Sequence, residues 1–240
     1  MSDHHLEKKT YVVTGSSSGI GFACTQRLLD SGAIVVSLCR RVEKVSAHPN
    51  HHVIHADLRE ENIGERLASY LRERELRVDG SVHAAGVSRK NPWKVYNEKK
   101  AKELMEINFW VVLRLLSVIT HFKIRSKQSS NVVFSSISTQ RRYAGMLDYA
   151  AAKSALESSV GVLAKELAPA GVRLNALRLG VVETPMTEEL LAKERSDWES
   201  RSPLGIGRAS DVVEAVMNLL SEESRWQTGA ILNLDGGYLA

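Results

Sequence analysis

The chain has 240 residues, 43% hydrophobic and 25% charged, a balance that suits one α/β domain with a substantial core and excludes disordered and fibrous architectures. Thirty-two basic residues against 28 acidic ones leave a net charge of +4, too small and too scattered to indicate a nucleic-acid partner. No apolar run approaches a membrane span, residues 1–9 read as a polar tail without the apolar core of a secretory signal, and the two cysteines, Cys24 and Cys39, suit a reduced compartment; a cytoplasmic location follows by default.

Residues 11–14 form the first apolar, β-branched run, and residues 20–30 the first amphipathic helix. Between them stands Thr14-Gly15-Ser16-Ser17-Ser18-Gly19-Ile20-Gly21. Gly15 suits a tight turn, Gly19 a close approach of backbone to a ligand, and Gly21 close packing of helix on strand. The free N–H groups and dipole at the helix start favour a pyrophosphate there. The second strand, residues 33–39, should end beside an adenosine ribose. Arg40 and Arg41 follow it with no carboxylate, so a 2′-phosphate, and with it NADP(H), is favoured over NAD(H). His48, His51, His52 and His55 lie in a short connector and in the third strand, residues 52–56, without acidic partners or a common helical face, so no metal site is expected. Asp57 follows that strand, placed either to accept from an adenine amino group or to cap the next helix, residues 63–74.

The fourth strand is residues 81–84, followed by a long helix over 99–122 in which Asn108 interrupts an apolar stretch and requires a partner. It suits a helix bend or a bound water. The fifth strand, 131–135, leads into Ser136, which is placed to hydrogen-bond a substrate oxygen. A helix over 149–167 opens with Tyr149-Ala150-Ala151-Ala152-Lys153, and four-residue spacing puts phenol and ammonium on one face. A phenol titrates near pH 10, so a neighbouring cation would make it a useful proton donor and acceptor near neutrality. Strand 172–177, a charged segment between 186 and 209 that reads as a mobile flap, helix 211–219 and strand 230–234 complete the chain. Alternating strands and helices predict a doubly wound, seven-stranded parallel sheet covered by helices on both faces, with the ligand at the carboxyl ends of the strands.

Taken together, TGSSSGIG at 14–21, Asp57, HAAG at 83–86, Asn108, Ser136, YAAAK at 149–153, LGVVETPM at 179–186 and LDGG at 234–237 resemble a single-domain short-chain dehydrogenase/reductase over nearly the whole chain. The resemblance implies that Tyr149 is the general acid/base, that Lys153 lowers its pKa and binds the nicotinamide ribose, that Ser136 polarises the carbonyl, and that Asn108 holds a proton-relay water. It places the cofactor against Gly15, Ser17, Ser18, Gly19 and Ile20, against Arg40, Arg41, Asp57 and Leu58, and against Ala84, Gly86, Val182 and Thr184. Two departures stand out: the usual Asn-Asn-Ala-Gly is His83-Ala84-Ala85-Gly86, which questions how the fourth strand is tied to its neighbours. The usual Pro-Gly is Leu179-Gly180, which loosens the expected turn before Val182.

The expected activity is NADP(H)-dependent hydride transfer between nicotinamide and a carbonyl or secondary alcohol. The overall shape is similar to 3-oxoacyl-[acyl-carrier-protein] reductases, which makes a 3-oxoacyl thioester a candidate substrate, carrier-bound or free. Arg89, Lys90, Trp93, Arg141 and Arg142 follow strands four and five and are placed to ring the mouth of the site. The rival readings are a catalytically silent nucleotide-binding or regulatory protein, and an epimerase or dehydratase on the same fold. The resemblance further implies a homo-tetramer formed through the helices at 99–122 and 149–167 and the C-terminal strand.

Overall fold

The computed structural model of the protein describes residues 6–42 and 47–240. Its chain order begins β1 (Thr10–Thr14), α1 (Gly19–Asp30), β2 (Ile34–Cys39), β3 (His51–His55), α2 (Ile63–Glu73) and β4 (Val78–His83). There follow α3 (Glu98–Met105), α4 (Val111–Ile119), β5 (Arg125–Ser136), α5 (Ser138–Arg141), α6 (Leu147–Leu167) and β6 (Val172–Leu179). The last elements are β7 (Val182–Glu183), α7 (Glu188–Arg201), β8 (Gly207–Arg208), α8 (Ala209–Leu220) and β9 (Ile231–Leu234). The main sheet is seven-stranded and wholly parallel in the order β3-β2-β1-β4-β5-β6-β9, as expected, and β7 with β8 forms a separate two-stranded ribbon.

Both faces of a parallel sheet are covered, so its central strands carry continuous buried stretches rather than an alternation. Every residue of β1 is buried. Tyr11 and Val13 pack with Leu28 of α1 and Val216 of α8 on one face, while Val12 packs with Leu67 of α2 and Leu115 of α4 on the other. A third cluster joins Val133 of β5 to Leu116 of α4 and Leu156 of α6. Each fully buried leucine contributes about 1.5–3 kcal/mol. Strand order reverses at β1, between β2 and β4, and opens the crevice in which such sheets hold ligands.

Several expectations are corrected. The single helix foreseen over 99–122 is α3 and α4 joined by a π turn at Glu106–Trp110 that contains Asn108. The amide causes the break: Asn108 turns its side chain back onto backbone and admits an extra residue per turn. The charged stretch at 186–209 is not a bare flap, because α7 anchors it through buried Leu191 and Trp198, with a bend at Glu194. Trp198 lies between Tyr143 and Tyr238, an aromatic contact between distant segments that no local periodicity announces. Of the polar tail, residues 1–5 lie outside the described residues, and residues 6–9 are fastened: Leu6 is fully buried and Lys8 N–H donates to Gly32 O.

Neither departure from the family pattern loosens the sheet. His83 Nε2 lies 2.9 Å from Ser81 Oγ, which donates to Asn131 Oδ1 on β5, so His83 is joined through Ser81 to the neighbouring strand. Leu179 O accepts from Ile137 N–H and Gly180 N–H donates to Leu234 O, so the turn before Val182 is held on both sides without proline.

Candidate functional site

The loop after β1 is built on glycine. Gly15 has φ +71°, and a β-carbon there would lie 2.8 Å from Ala85 N; one at Gly21 would lie 2.4 Å from Gly15 O. Substitution at either position forces strand, loop or helix apart. α1 therefore starts directly under the sheet edge, with Ser18 as N-cap, no side-chain cap and no acidic residue in its first turn. Its N-terminus borders a cleft of about 270 Å³ lined by Gly15, Ser18, Arg40, Asp57, Gly86 and Thr184. A pyrophosphate fits this cradle, because the orphan N–H groups and the helix dipole meet negative charge.

At the adenosine end Arg40 and Arg41 are exposed, and Arg41 Nη2 lies 3.4 Å from Ser18 Oγ, beside the glycine loop. Asp57 meets a partner that sequence reasoning missed. Arg59 reaches it through Nε, Nη2 and its backbone N–H, and these bonds pull the carboxyl down to about 2. The carboxylate thus holds the loop and neutralises one local cation, leaving Arg40 and Arg41 without an acidic side chain on β2. Leu58 is buried. The signal was present as an arginine two residues after an aspartate.

Thr184 sits over the helix start, its Cβ 3.3 Å from where a Gly19 β-carbon would stand. Val182 packs into the core, and its carbonyl accepts from Thr187 Oγ1 at 2.6 Å. Gly86 passes over Asn108 so closely that a β-carbon would lie 2.8 Å from Oδ1. Asn108 Nδ2 donates to Val87 O and Leu104 O, and Oδ1 accepts from Val87 N–H, so both amide N–H groups are used inside the protein. Its side chain is thus a structural clasp at the π turn.

Ser136, Tyr149 and Lys153 converge where β5 ends against the first turns of α6. Ser138 N–H donates to Ser136 Oγ at 3.2 Å, which fixes the rotamer and leaves the Ser136 proton free to be donated. Burial, the largest influence, holds the Tyr149 phenol above its ordinary pKa against a smaller lowering from Ser136, so the phenol is protonated at neutral pH. Lys153 Nζ stands 5.8 Å from the phenol ring centre and donates to Phe134 O at 2.8 Å. Burial brings this ammonium down to about 8. Burial penalises the charged form of each group, the phenolate of Tyr149 and the ammonium of Lys153.

Asp148, buried just before Tyr149, accepts from Asn91 Nδ2 at 2.7 Å, and Asn91 N–H donates to Gly145 O. This pins the loop after β4 onto the start of α6. Of the groups expected around the mouth, Arg89 is paired with Glu103, and Arg141 donates to Tyr238 O; Lys90, Trp93 and Arg142 remain exposed.

A doubly wound sheet with a pyrophosphate cradle and a Ser-Tyr-Lys group at its carboxyl edge defines a nicotinamide-dependent oxidoreductase. A sequence profile described as Enoyl-(Acyl carrier protein) reductase matches residues 15–239. The chain belongs to the short-chain dehydrogenase/reductase family. It is 30% identical to a 3-oxoacyl-[acyl-carrier-protein] reductase of Thermotoga maritima over 97% of this chain and 98% of that one, and 27% identical to the protein of that name in Escherichia coli, at the same coverage. Among solved structures, a short-chain dehydrogenase/reductase from Brucella melitensis superposes with TM-score 0.92 at 27% identity over 98% of both chains. A 4-hydroxyisoleucine dehydrogenase complexed with NADH gives 0.91 at 25% identity, covering 96% of this chain and 98% of that one.

Proposed function

We propose that the protein is an NADP(H)-dependent carbonyl reductase whose substrate class is the 3-oxoacyl thioester, and that Ser136, Tyr149 and Lys153 carry the chemistry. The observation that carries this reading is the meeting of a serine hydroxyl free to donate, a protonated phenol and a buried ammonium at the carboxyl edge of the sheet, beside the phosphate cradle. A dinucleotide held in the cradle would supply the hydride. Ser136 donates its hydroxyl hydrogen bond to the substrate carbonyl oxygen and polarises it. Tyr149 gives its proton to the same oxygen as negative charge develops there; its raised pKa keeps that proton in place until it is required. Lys153 uses one N–H on Phe134 O and has two more to hold a ribose hydroxyl and to stabilise the phenolate that remains.

The preference for NADP(H) rests on Arg40 and Arg41 at the end of β2 and on the use of Asp57 by Arg59. Asn108 keeps α3 and α4 bent, and any relay water would have to donate to its Oδ1 or bind backbone carbonyl. The substrate class rests on the names of the relatives and on exposed Lys90, Trp93 and Arg142 near the mouth, which suit an anionic or carrier-linked thioester. We extend the reading to a homo-tetramer through the π turn with α4, through α6 and through the C-terminal strand; Trp110 of the π turn and Val162 of α6 are each about half exposed.

The experiment mixes the protein with NADPH or NADH and a panel of ketones and 3-oxoacyl thioesters, for wild type and Tyr149→Phe. NADPH consumption should fall by about 10²–10⁴ in the variant. Equal rates in the two proteins refute the assignment.

A further inference from the structure

Two turns of α6 beyond Tyr149, and one beyond Lys153, the same helical face carries Glu157. Its carboxylate collects four donors from three directions. Arg178 of β6 gives a two-point pair, Nε to Oε1 and Nη2 to Oε2, both 2.8 Å. Ser135 Oγ donates to Oε1 at 2.6 Å. Thr139 Oγ1 lies 3.2 Å from the same oxygen and 3.0 Å from Ser136 O, its single proton serving one of them at a time. The pair is well shielded, with the Arg178 and Glu157 side chains 13% and 10% exposed.

The placement of these donors is the significant point. Ser135 and Thr139 stand on either side of Ser136, and Arg178 is the direct β6 neighbour of Ser135 in the sheet register. Arg178 also reaches Asn233 Oδ1, its neighbour on β9. Glu157 therefore joins α6, which carries Tyr149, to the end of β5, which carries Ser136, and through Arg178 to β6 and β9. Lys153 adds a hydrogen bond of its own from α6 to this strand end, to Phe134 O. A surface ion pair would be worth little, but a shielded two-point pair with added hydroxyl donors holds geometry. Arg178 balances the charge, so what Glu157 contributes is position.

We propose that Glu157 is a positioning residue that sets the Ser136 hydroxyl against the Tyr149 phenol, acting through Ser135, Thr139 and Arg178. The kinetic part rests on the reductase reading given above; the geometric part does not. Glu157→Gln keeps the shape, removes the charge and turns one oxygen acceptor into an N–H donor facing arginine. Crystal structures of wild type and Glu157→Gln should show Ser136 Oγ displaced from Tyr149 Oη or split between two rotamers. An unmoved Ser136 overturns the proposal whether or not the enzyme reduces any substrate tried.

In the NADPH oxidation assay, kcat should fall about 10- to 100-fold with the KM for NADPH unchanged, since sub-ångström to ångström misplacement costs this much. In a Ser136→Ala background, Glu157→Gln should have almost no further effect, whereas a purely structural role would lower kcat equally in both backgrounds and would overturn the proposal. Failure of Ser136→Ala itself to slow the reaction would instead count against the reductase reading. Should Glu157→Gln not fold, Ser135→Ala leaves the ion pair intact and removes one donor. It should displace Ser136 in the same direction and lower kcat by a smaller factor, and an unchanged site in Ser135→Ala refutes the coupling.

Discussion

Replacing Lys153 with methionine should stabilise the fold while removing the activity. Lys153 is 6% exposed and its ammonium donates to Phe134 O. Burial lowers its pKa from 10.5 to about 8, which at ~1.4 kcal/mol per tenfold corresponds to about 3 kcal/mol spent in keeping it charged at pH 7. Methionine fills a comparable volume, avoids this cost and forfeits a hydrogen bond worth about 1 kcal/mol. The variant should therefore gain about 1–2 kcal/mol, which for a chain of this size raises Tm by about 2–4 °C per kcal/mol. Because the folded pKa lies below the unfolded one, the unfolded chain binds more protons between pH 8 and 10.5, and wild-type stability rises through that window. The advantage of Lys153→Met should accordingly be full below pH 8 and shrink toward pH 10.5. Urea unfolding of both proteins without cofactor at pH 7 and pH 10 measures it, and a variant less stable at pH 7, or a gap that ignores pH, refutes the reasoning.

Arg41→Ala should weaken NADPH binding about 10- to 100-fold, the worth of a charge-assisted contact, and leave NADH nearly unchanged; equal losses for both cofactors, read by fluorescence titration, would mean that the guanidinium does not meet the 2′-phosphate. Gly86→Ala drives a β-carbon to 2.8 Å from Asn108 Oδ1 and should cost about 1–3 kcal/mol in urea unfolding, with full stability as the contrary result. Burial holds His83 neutral down to about 4, below its ordinary 6.5. Stability present above pH 6.5 should be lost progressively as pH falls toward 4, and His83→Asn should flatten that acid limb in thermal melts.

Parallel strands buried on both faces leave uninterrupted β-branched runs, and their alternation with amphipathic helices implies the doubly wound order; both are local signals, which is why the seven strands were legible from residue types alone. The phosphate loop was legible for a similar reason, since Gly15, Gly19 and Gly21 meet steric demands set within eight residues. Tyr149 and Lys153 share a helical face by spacing. What spacing could not convey is electrostatics that depend on burial. The tyrosine is pushed up by its surroundings, Lys153 is pulled down toward 8, and Asp57 is taken by Arg59. Asn108 promised a break in a helix, but only packing against Gly86 and Val87 decided that the break is a π turn. Trp198 and Tyr238 show the same limit, because α7 is amphipathic only weakly and owes its place to aromatic partners 40 and more residues away in sequence. Glu157 and Arg178 are 21 residues apart and on different elements. Sequence thus determined which groups lie at the carboxyl edge of the sheet, and tertiary structure decided how they are charged and held, because desolvation and long-range hydrogen bonds exist only once the chain has closed on itself.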